Sequence, residues 1–412
     1  MPIKFDRPLP VAILLGIITQ ALFCWRLAVP HMLVFDEVHY VPAARTLLTL
    51  AHPANAEHPL LGKELIALGV WMFGDTPVGW RAMSTLAGTA TVLGCYAALW
   101  LLYRRVWTAT LGAVLVLLNF TVFIQSRIAM LDGFMAAFVV LALACLLWSA
   151  KANGAEAVWA RWIGGAMFLG LAVACKWAAA PYVLFAALAF LLLKRGNPHR
   201  WPGLSWWAGP IMLGVVSVAT YLATFMPAFF YATEPISVST LLPYQLAMFK
   251  LQEQVLPPHT YQSSWEGWVL MIRPIWYLYE PVDGAQRGIL FVGNPVIMWG
   301  GLVAVAASLW AWARERDVRT GALAGLWVAS YLVWALVPKS PSFFYYYYLP
   351  SIWLPLVLAG AIHHWHKRGW HLDEALLGAA AVLFINFYPV LAATALDDPG
   401  SFHRWTWFAS WI

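Results

Sequence analysis

Long apolar runs separated by short charged knots make up most of this 412-residue chain. Read in windows of about 19 residues, the pattern predicts eleven helices long enough to span a bilayer. They fall near 9–28, 80–102, 108–124, 132–150, 162–178, 180–194, 207–229, 291–313, 320–337, 345–362 and 374–395. Only a short connection, Lys176 to Pro181, separates the fifth from the sixth. Two intervening segments, 29–79 and 230–290, are too long for turns, and connections beyond about 15 residues are usually functional or disordered. Their aromatics and stretches such as ELIALGVWMF predict amphipathic or interfacial helices. The expected architecture is an all-α polytopic membrane protein, one domain over 1–412, with two long outer loops. No period of 20–50 residues marks a repeat array.

Composition agrees with lipid as the main solvent. Hydrophobic residues make up 62% of the chain and charged residues only 11%, against about 25% charged in a soluble domain. The net charge of +6 forms no basic tract, which excludes a nucleic-acid partner. Cys24, Cys95, Cys145 and Cys175 lie in apolar runs without metal or disulfide spacing and read as small hydrophobes. The first apolar run follows Lys4 and Arg7 and shows no small-residue cleavage site, so it is expected to remain as a helix.

Charge also orients the chain. With the N-terminus in the cytoplasm, Lys4, Arg7, Arg104, Arg105, Lys151, Arg161, Lys194, Arg195, Arg200, Arg314, Arg316, Arg319, Lys367 and Arg368 fall in short inside loops. These are fourteen of the 25 Lys and Arg residues. An odd number of crossings then places the C-terminus outside.

Ionisable groups at the outer ends of spans are costly and usually functional. Asp36 and Glu37 occur in FDEVHY, His58 and Lys63 in EHPLLGKEL, Arg127 and Asp132 in SRIAMLD, and Lys176 in CKW. Arg81 starts the second helix, Arg273 lies in the second long loop, and Lys339 precedes FFYYYYLP. Their convergence on one face predicts a polar cavity that opens outward, with cations suited to a phosphate. Each residue also has a plainer reading. Asp36 fits a helix cap, Arg127 and Asp132 fit a mutual pair, Lys339 and Arg81 fit snorkelling anchors, and the aromatic run fits an interfacial belt. His363, His364 and His366 belong to an inside loop.

These motifs, in this order, resemble the protein O-mannosyltransferase family, membrane glycosyltransferases of the GT-C type. FDEVHY is similar to the family's acidic pair, EHPLLGK to its HPPLGK, and SRIAMLD to its Ser-Arg-to-Asp segment. CKW, the SSWEGW to IRPIW stretch, VGNP and FFYYYYLP match later elements. The resemblance implies eleven spans and transfer of mannose from a polyprenyl-phosphate carrier to Ser or Thr hydroxyls of exported proteins. It further implies Asp36 as the catalytic acid-base residue with Glu37 beside it, and His58, Lys63, Arg127 and Lys176 as carrier-phosphate contacts. Asp132, Arg273 and Lys339 complete the candidate substrate-binding set. Two departures stand out: Leu60 replaces the second Pro of HPPLGK, and the segment 230–290 is too short for the β-domain of eukaryotic members. A bacterial-type enzyme in the plasma membrane is therefore expected, with its active face outside or in the periplasm and with pairing into dimers as an option.

In the scheme these residues allow, Asp36 takes the proton of an attacking hydroxyl while the cations stabilise the leaving phosphate, with inversion at the sugar. It requires no metal, and no divalent site of three ligands is readable. Related GT-C enzymes that use a lipid or glycan acceptor are the nearest alternative. A transporter would gather charge near mid-span and show an inverted repeat, and neither is present.

Overall fold

A computed structural model describes residues 7–254, 257–337, 339–366 and 372–412. Lys4, Lys367 and Arg368 of the expected inside loops lie outside the described residues. Sixteen α-helices appear among those described. The first eight are α1 (Pro8–Cys24), α2 (Glu37–Leu48), α3 (Leu61–Phe73), α4 (Pro77–Tyr103), α5 (Val106–Leu117), α6 (Phe120–Gln125), α7 (Leu131–Ser149) and α8 (Ala155–Cys175). Then follow α9 (Ala180–Gly196), α10 (Ala208–Ala223), α11 (Leu241–Gln252), α12 (Trp265–Trp268), α13 (Pro295–Glu315), α14 (Val318–Leu336), α15 (Tyr348–His366) and α16 (Asp373–Leu391). Each of the eleven apolar windows overlaps at least one of these helices, and that at 108–124 overlaps two. Among the described residues, seven helical segments are long and apolar enough to cross a membrane, and α1 and α5 are shorter apolar helices.

The structure corrects the expectation in three places. The all-α reading misses an antiparallel hairpin of β1 (Ile275–Val282) and β2 (Ala285–Phe291). Its two-residue turn is Asp283–Gly284, both at positive φ, the conformation that matches the twist of the flanking strands. The segment 230–290 is therefore only partly helical, and the helix read near 291–313 starts four residues later. There Asn294 caps it by accepting the Val296 N–H at 3.2 Å, with Pro295 in the first turn. Finally, the window 108–124 breaks at Leu118–Asn119 into α5 and α6.

The contacts divide the chain into two compact units. One comprises 1–35, 103–128 and 255–412, the other 36–102 and 129–254. In the first, α15 is the centre, buried at every position from Tyr348 to Ala361 and packed on α13, α14 and α5. A helix that is apolar all round belongs inside a bundle. The run 343–348 joins this core and does not form a lipid-facing belt, because Phe344, Tyr345, Tyr347 and Tyr348 are buried and Trp327 donates to the Tyr347 hydroxyl at 3.1 Å. The unit's last residue before α2, Phe35, has φ +51° and stacks on Tyr277 with ring centres 4.0 Å apart.

In the second unit, α8 packs along α7 and α10. Gly170 permits the closest approach, since a Cβ there would lie 2.4 Å from the Ser217 carbonyl oxygen. Helix α9 exposes Leu184, Leu188 and Leu192 at helical spacing, a face suited to lipid.

Candidate active site

The second unit holds the acidic motif and most of the chemistry. Asp36 stands at the N-cap position of α2, yet its side chain accepts no capping hydrogen bond, so the capping role fails. Asp36 lies outside the membrane-spanning segments and is half-buried as a residue, with its carboxyl packed in protein. Burial pushes it from 3.8 up to about 6; Lys176 pulls it down, Asp132 pushes it further up, and His39 pulls it down more weakly. Tyr40, one turn on, donates its hydroxyl to Asp36 Oδ2 at 3.4 Å.

Glu37 has a different role from its neighbour. It is wholly buried, takes two 2.8 Å hydrogen bonds from the Arg81 guanidinium, and accepts the Ala129 N–H at 2.8 Å. A bidentate fork of this kind is among the strongest protein ion pairs. Glu37 therefore ties the start of α2 to α4 and to the chain entering α7. Arg81 is buried in this ion pair and is no snorkelling anchor.

Asp132 pairs with Lys176, whose ammonium donates to both carboxylate oxygens at 2.9 and 2.8 Å. The expected partner, Arg127, belongs to the first unit. There its guanidinium donates to the carbonyls of Phe23 at 2.7 Å and Trp25 at 2.6 Å, with longer contacts to Leu22 and Arg26. These are the end carbonyls of α1 and its exit, groups that a helix leaves without internal partners. The Arg127–Asp132 pair is thus replaced by an Asp132–Lys176 pair and by an arginine that closes a helix.

Lys63 is similarly committed. It is buried, and its ammonium donates to the carbonyls of Ala54 at 3.2 Å, Asn55 at 2.7 Å and His58 at 2.8 Å. Three hydrogens meet three carbonyls, which leaves none for a phosphate oxygen. His58 Nδ1 lies 3.0 Å from the Gln252 amide nitrogen, and the ring meets the Tyr40 ring edge-on. In the first unit, Arg273 donates to the carbonyls of Ser410, Ile412 and Thr260, and Lys339 is half-buried in the connection after α14.

Of the candidate residues, Asp36, His58, Asp132 and Lys176 are gathered in one unit with side chains turned to polar partners, and Lys176 is the cation acting most strongly on Asp36. Sequence reasoning passed over Tyr40, Glu64 and Gln252. Glu64 has a carboxyl that burial raises to about 7 and an Oε1 that is buried without a partner; an acid inside the apolar ELIALGVWMF run was the available signal. Among the described residues, no group of three or more His, Cys, Asp or Glu is arranged to hold a metal ion. The histidines at the end of α15 diverge, His363 to Thr108 and His364 to Asp317.

The helical architecture, with its short helices and hairpin between the long apolar ones, is the fold of the GT-C membrane glycosyltransferases. It is similar to the yeast protein O-mannosyltransferase Pmt1-Pmt2 complex bound to the sugar donor, with a TM-score of 0.84 at 14% identity over 100% of this chain and 93% of that one. Similarity extends to ArnT from Cupriavidus metallidurans, with a TM-score of 0.62 at 17% identity over 93% of this chain and 65% of that one. Two family models match: residues 75–232 fit "Dolichyl-phosphate-mannose-protein mannosyltransferase", and residues 237–411 fit the C-terminal four-TMM region of protein-O-mannosyltransferase. A polyprenol-phosphate-mannose–protein mannosyltransferase of Mycolicibacterium smegmatis is 27% identical over 92% of this chain and 87% of its own length. Its Corynebacterium glutamicum counterpart is 25% identical over 92% and 88%. The chain belongs to the protein O-mannosyltransferase family.

Proposed function

We propose that the protein transfers mannose from a polyprenyl-phosphate carrier to Ser or Thr hydroxyls of exported proteins, with Asp36 as general base. The observation that carries the mechanism is the state of Asp36: an uncapped carboxyl raised to about 6 in the field of the Asp132–Lys176 pair. A carboxyl at about 6 is ionised at neutral pH and is a stronger base than an ordinary aspartate. It takes the hydroxyl proton as the oxygen bonds to the anomeric carbon. The bond from that carbon to the phosphate oxygen breaks on the opposite face, and its electron pair leaves with the phosphate. Lys176 supplies the positive charge that the departing phosphate needs, and His58 a hydrogen bond to it. Asp132 holds the Lys176 ammonium in place, and Glu37 with Arg81 holds the start of α2.

The seven apolar segments and the family assignment support a multi-pass membrane protein. The charge bias of its loops favours a cytoplasmic N-terminus in a plasma membrane, with Asp36 on the outer face. A pair of such chains, as in the yeast neighbour, is the assembly we propose.

The test uses purified enzyme, polyprenyl-phosphate mannose labelled in the sugar, and a Ser/Thr-rich acceptor protein. Label is expected in the protein, with the anomeric configuration inverted relative to the donor. Label confined to a lipid or glycan acceptor would overturn the protein-directed reading, and retained configuration would overturn direct displacement.

A further inference from the structure

Gln252 is the last residue of α11, half-buried at the end of a helix whose Leu242, Leu246 and Phe249 are exposed. Its side-chain nitrogen meets two acceptor positions at once, the Glu57 backbone carbonyl and His58 Nδ1, the latter at 3.0 Å. A carbonyl oxygen cannot donate, so the atom facing Glu57 must be the amide NH2 and not the amide oxygen. That settles the orientation of the amide. Its second hydrogen then points at His58 Nδ1, which can accept only when it carries no proton. The ring hydrogen of neutral His58 must therefore reside on Nε2.

Other contacts keep the ring in place. Lys63 donates to the His58 carbonyl at 2.8 Å, and the Tyr40 ring stands edge-on to the imidazole with centres 5.8 Å apart. Tyr40 is also the residue that donates to Asp36. The groups that meet His58 include Lys63 on α3, Tyr40 on α2 and the Gln252 amide on α11, with Glu57 the preceding residue.

We propose that Gln252 is a positioning residue that locks His58 as the Nε2–H tautomer, so that His58 presents a neutral, directed N–H donor to a phosphate oxygen. The proposal rests on the reading of His58 as a carrier contact given above. It adds what that reading lacks, namely which ring nitrogen does the work and what fixes it. An amide donor at Nδ1 excludes a proton there, whereas a carboxylate at the same place would invite one.

The experiment is 15N NMR of the imidazoles in histidine-labelled full-length enzyme in detergent, with His58→Gln identifying the His58 signals by their loss. Wild type is expected to show His58 with a protonated Nε2 and a bare Nδ1. Gln252→Glu is expected to move the Nδ1 signal to a protonated position, and Gln252→Met to give a mixture of tautomers. A His58 ring protonated on Nδ1 in wild type, or a spectrum indifferent to Gln252→Glu, overturns the lock. Where neither Gln252 variant folds, the wild-type spectrum alone decides.

Kinetics provide the second arm. The amide nitrogen of a glutamine reaches the place of Nε2, and that of an asparagine the place of Nδ1. His58→Gln is therefore expected to retain at least about fivefold more kcat/KM for polyprenyl-phosphate mannose than His58→Asn, the scale of one hydrogen bond. The reverse order overturns the proposal. If the Nε2–H tautomer is found in a protein that transfers no mannose, the functional reading falls and the lock stands.

Discussion

Replacing Asp36 by Asn should disable the enzyme and stabilise it at once. In the folded chain the carboxyl titrates at about 6 instead of 3.8, a difference of roughly 2 pH units, and each unit corresponds to about 1.4 kcal/mol. The raised value means that the folded state binds the proton more tightly than the unfolded chain. Asp36 therefore favours folding when protonated, and that advantage is lost as pH rises from about 4 through about 6. At neutral pH the ionised group costs the fold about 3 kcal/mol. Asparagine keeps the shape and carries no charge, so thermal unfolding in detergent should show the variant more stable than wild type by about 3 kcal/mol at pH 7.5 and by only about 1 kcal/mol at pH 4.5. Transfer, assayed with labelled donor on the same preparations, should fall by about 10²–10⁴-fold. In wild type the rate should drop about tenfold for each pH unit below about 6, as the base becomes protonated. A variant that transferred mannose at the wild-type rate, or that kept the wild-type pH dependence of stability, would refute the assignment and the electrostatics together.

Three further outcomes separate structural charges from working ones. Arg81→Met leaves Glu37 buried and ionised without its partner, and should cost about 3–5 kcal/mol, read as loss of monodisperse protein on size-exclusion chromatography. Lys176→Met should do the same to Asp132, while the double variant Lys176→Met with Asp132→Leu should recover folding but not transfer, because an apolar pair replaces a buried ion pair with little loss. Lys63→Met strands three carbonyls and should lower stability by about 1–3 kcal/mol while leaving the KM for the carrier within about twofold, a result checked by donor titration on the surviving folded fraction.

How much could be read in advance depended on the range of the forces. Crossing a bilayer imposes about twenty apolar residues on a helix, and every window found that way overlaps a helix, although the one at 108–124 is split into α5 and α6. The hairpin's signal is Asp283–Gly284 between two β-prone apolar runs, IWYLY and ILF, whose aromatics suit a membrane interface equally well. The membrane face of each cation was an inference from spacing; its partner was not. Lys63, Arg127 and Arg273 all satisfy backbone carbonyls, and a carbonyl leaves no trace in a sequence. Lys176 differs only in that Asp132 lies across from it, 44 positions earlier in the chain. Gln252 shows the limit most plainly: a neutral amide in an apolar helix looks like any surface residue until the imidazole it faces is known.

The division of the chain also bears on how the protein is made. Everything in the unit that contains Asp36 has been synthesised once residue 254 is reached, whereas the other unit has by then received only 1–35 and 103–128. Its central helix, α15, is still to come, about a hundred residues away. The arginine at 127 that closes the end of α1 is among the attachments already available to that unit's early segments. Arg127 and the carbonyls it meets are all made before that point, so this attachment can form before the C-terminal helices exist. A chain interrupted after Gln254 would contain every residue of the unit that holds Asp36 while lacking most of the other one, which makes that position the natural place to split the gene and ask whether the two pieces reassemble.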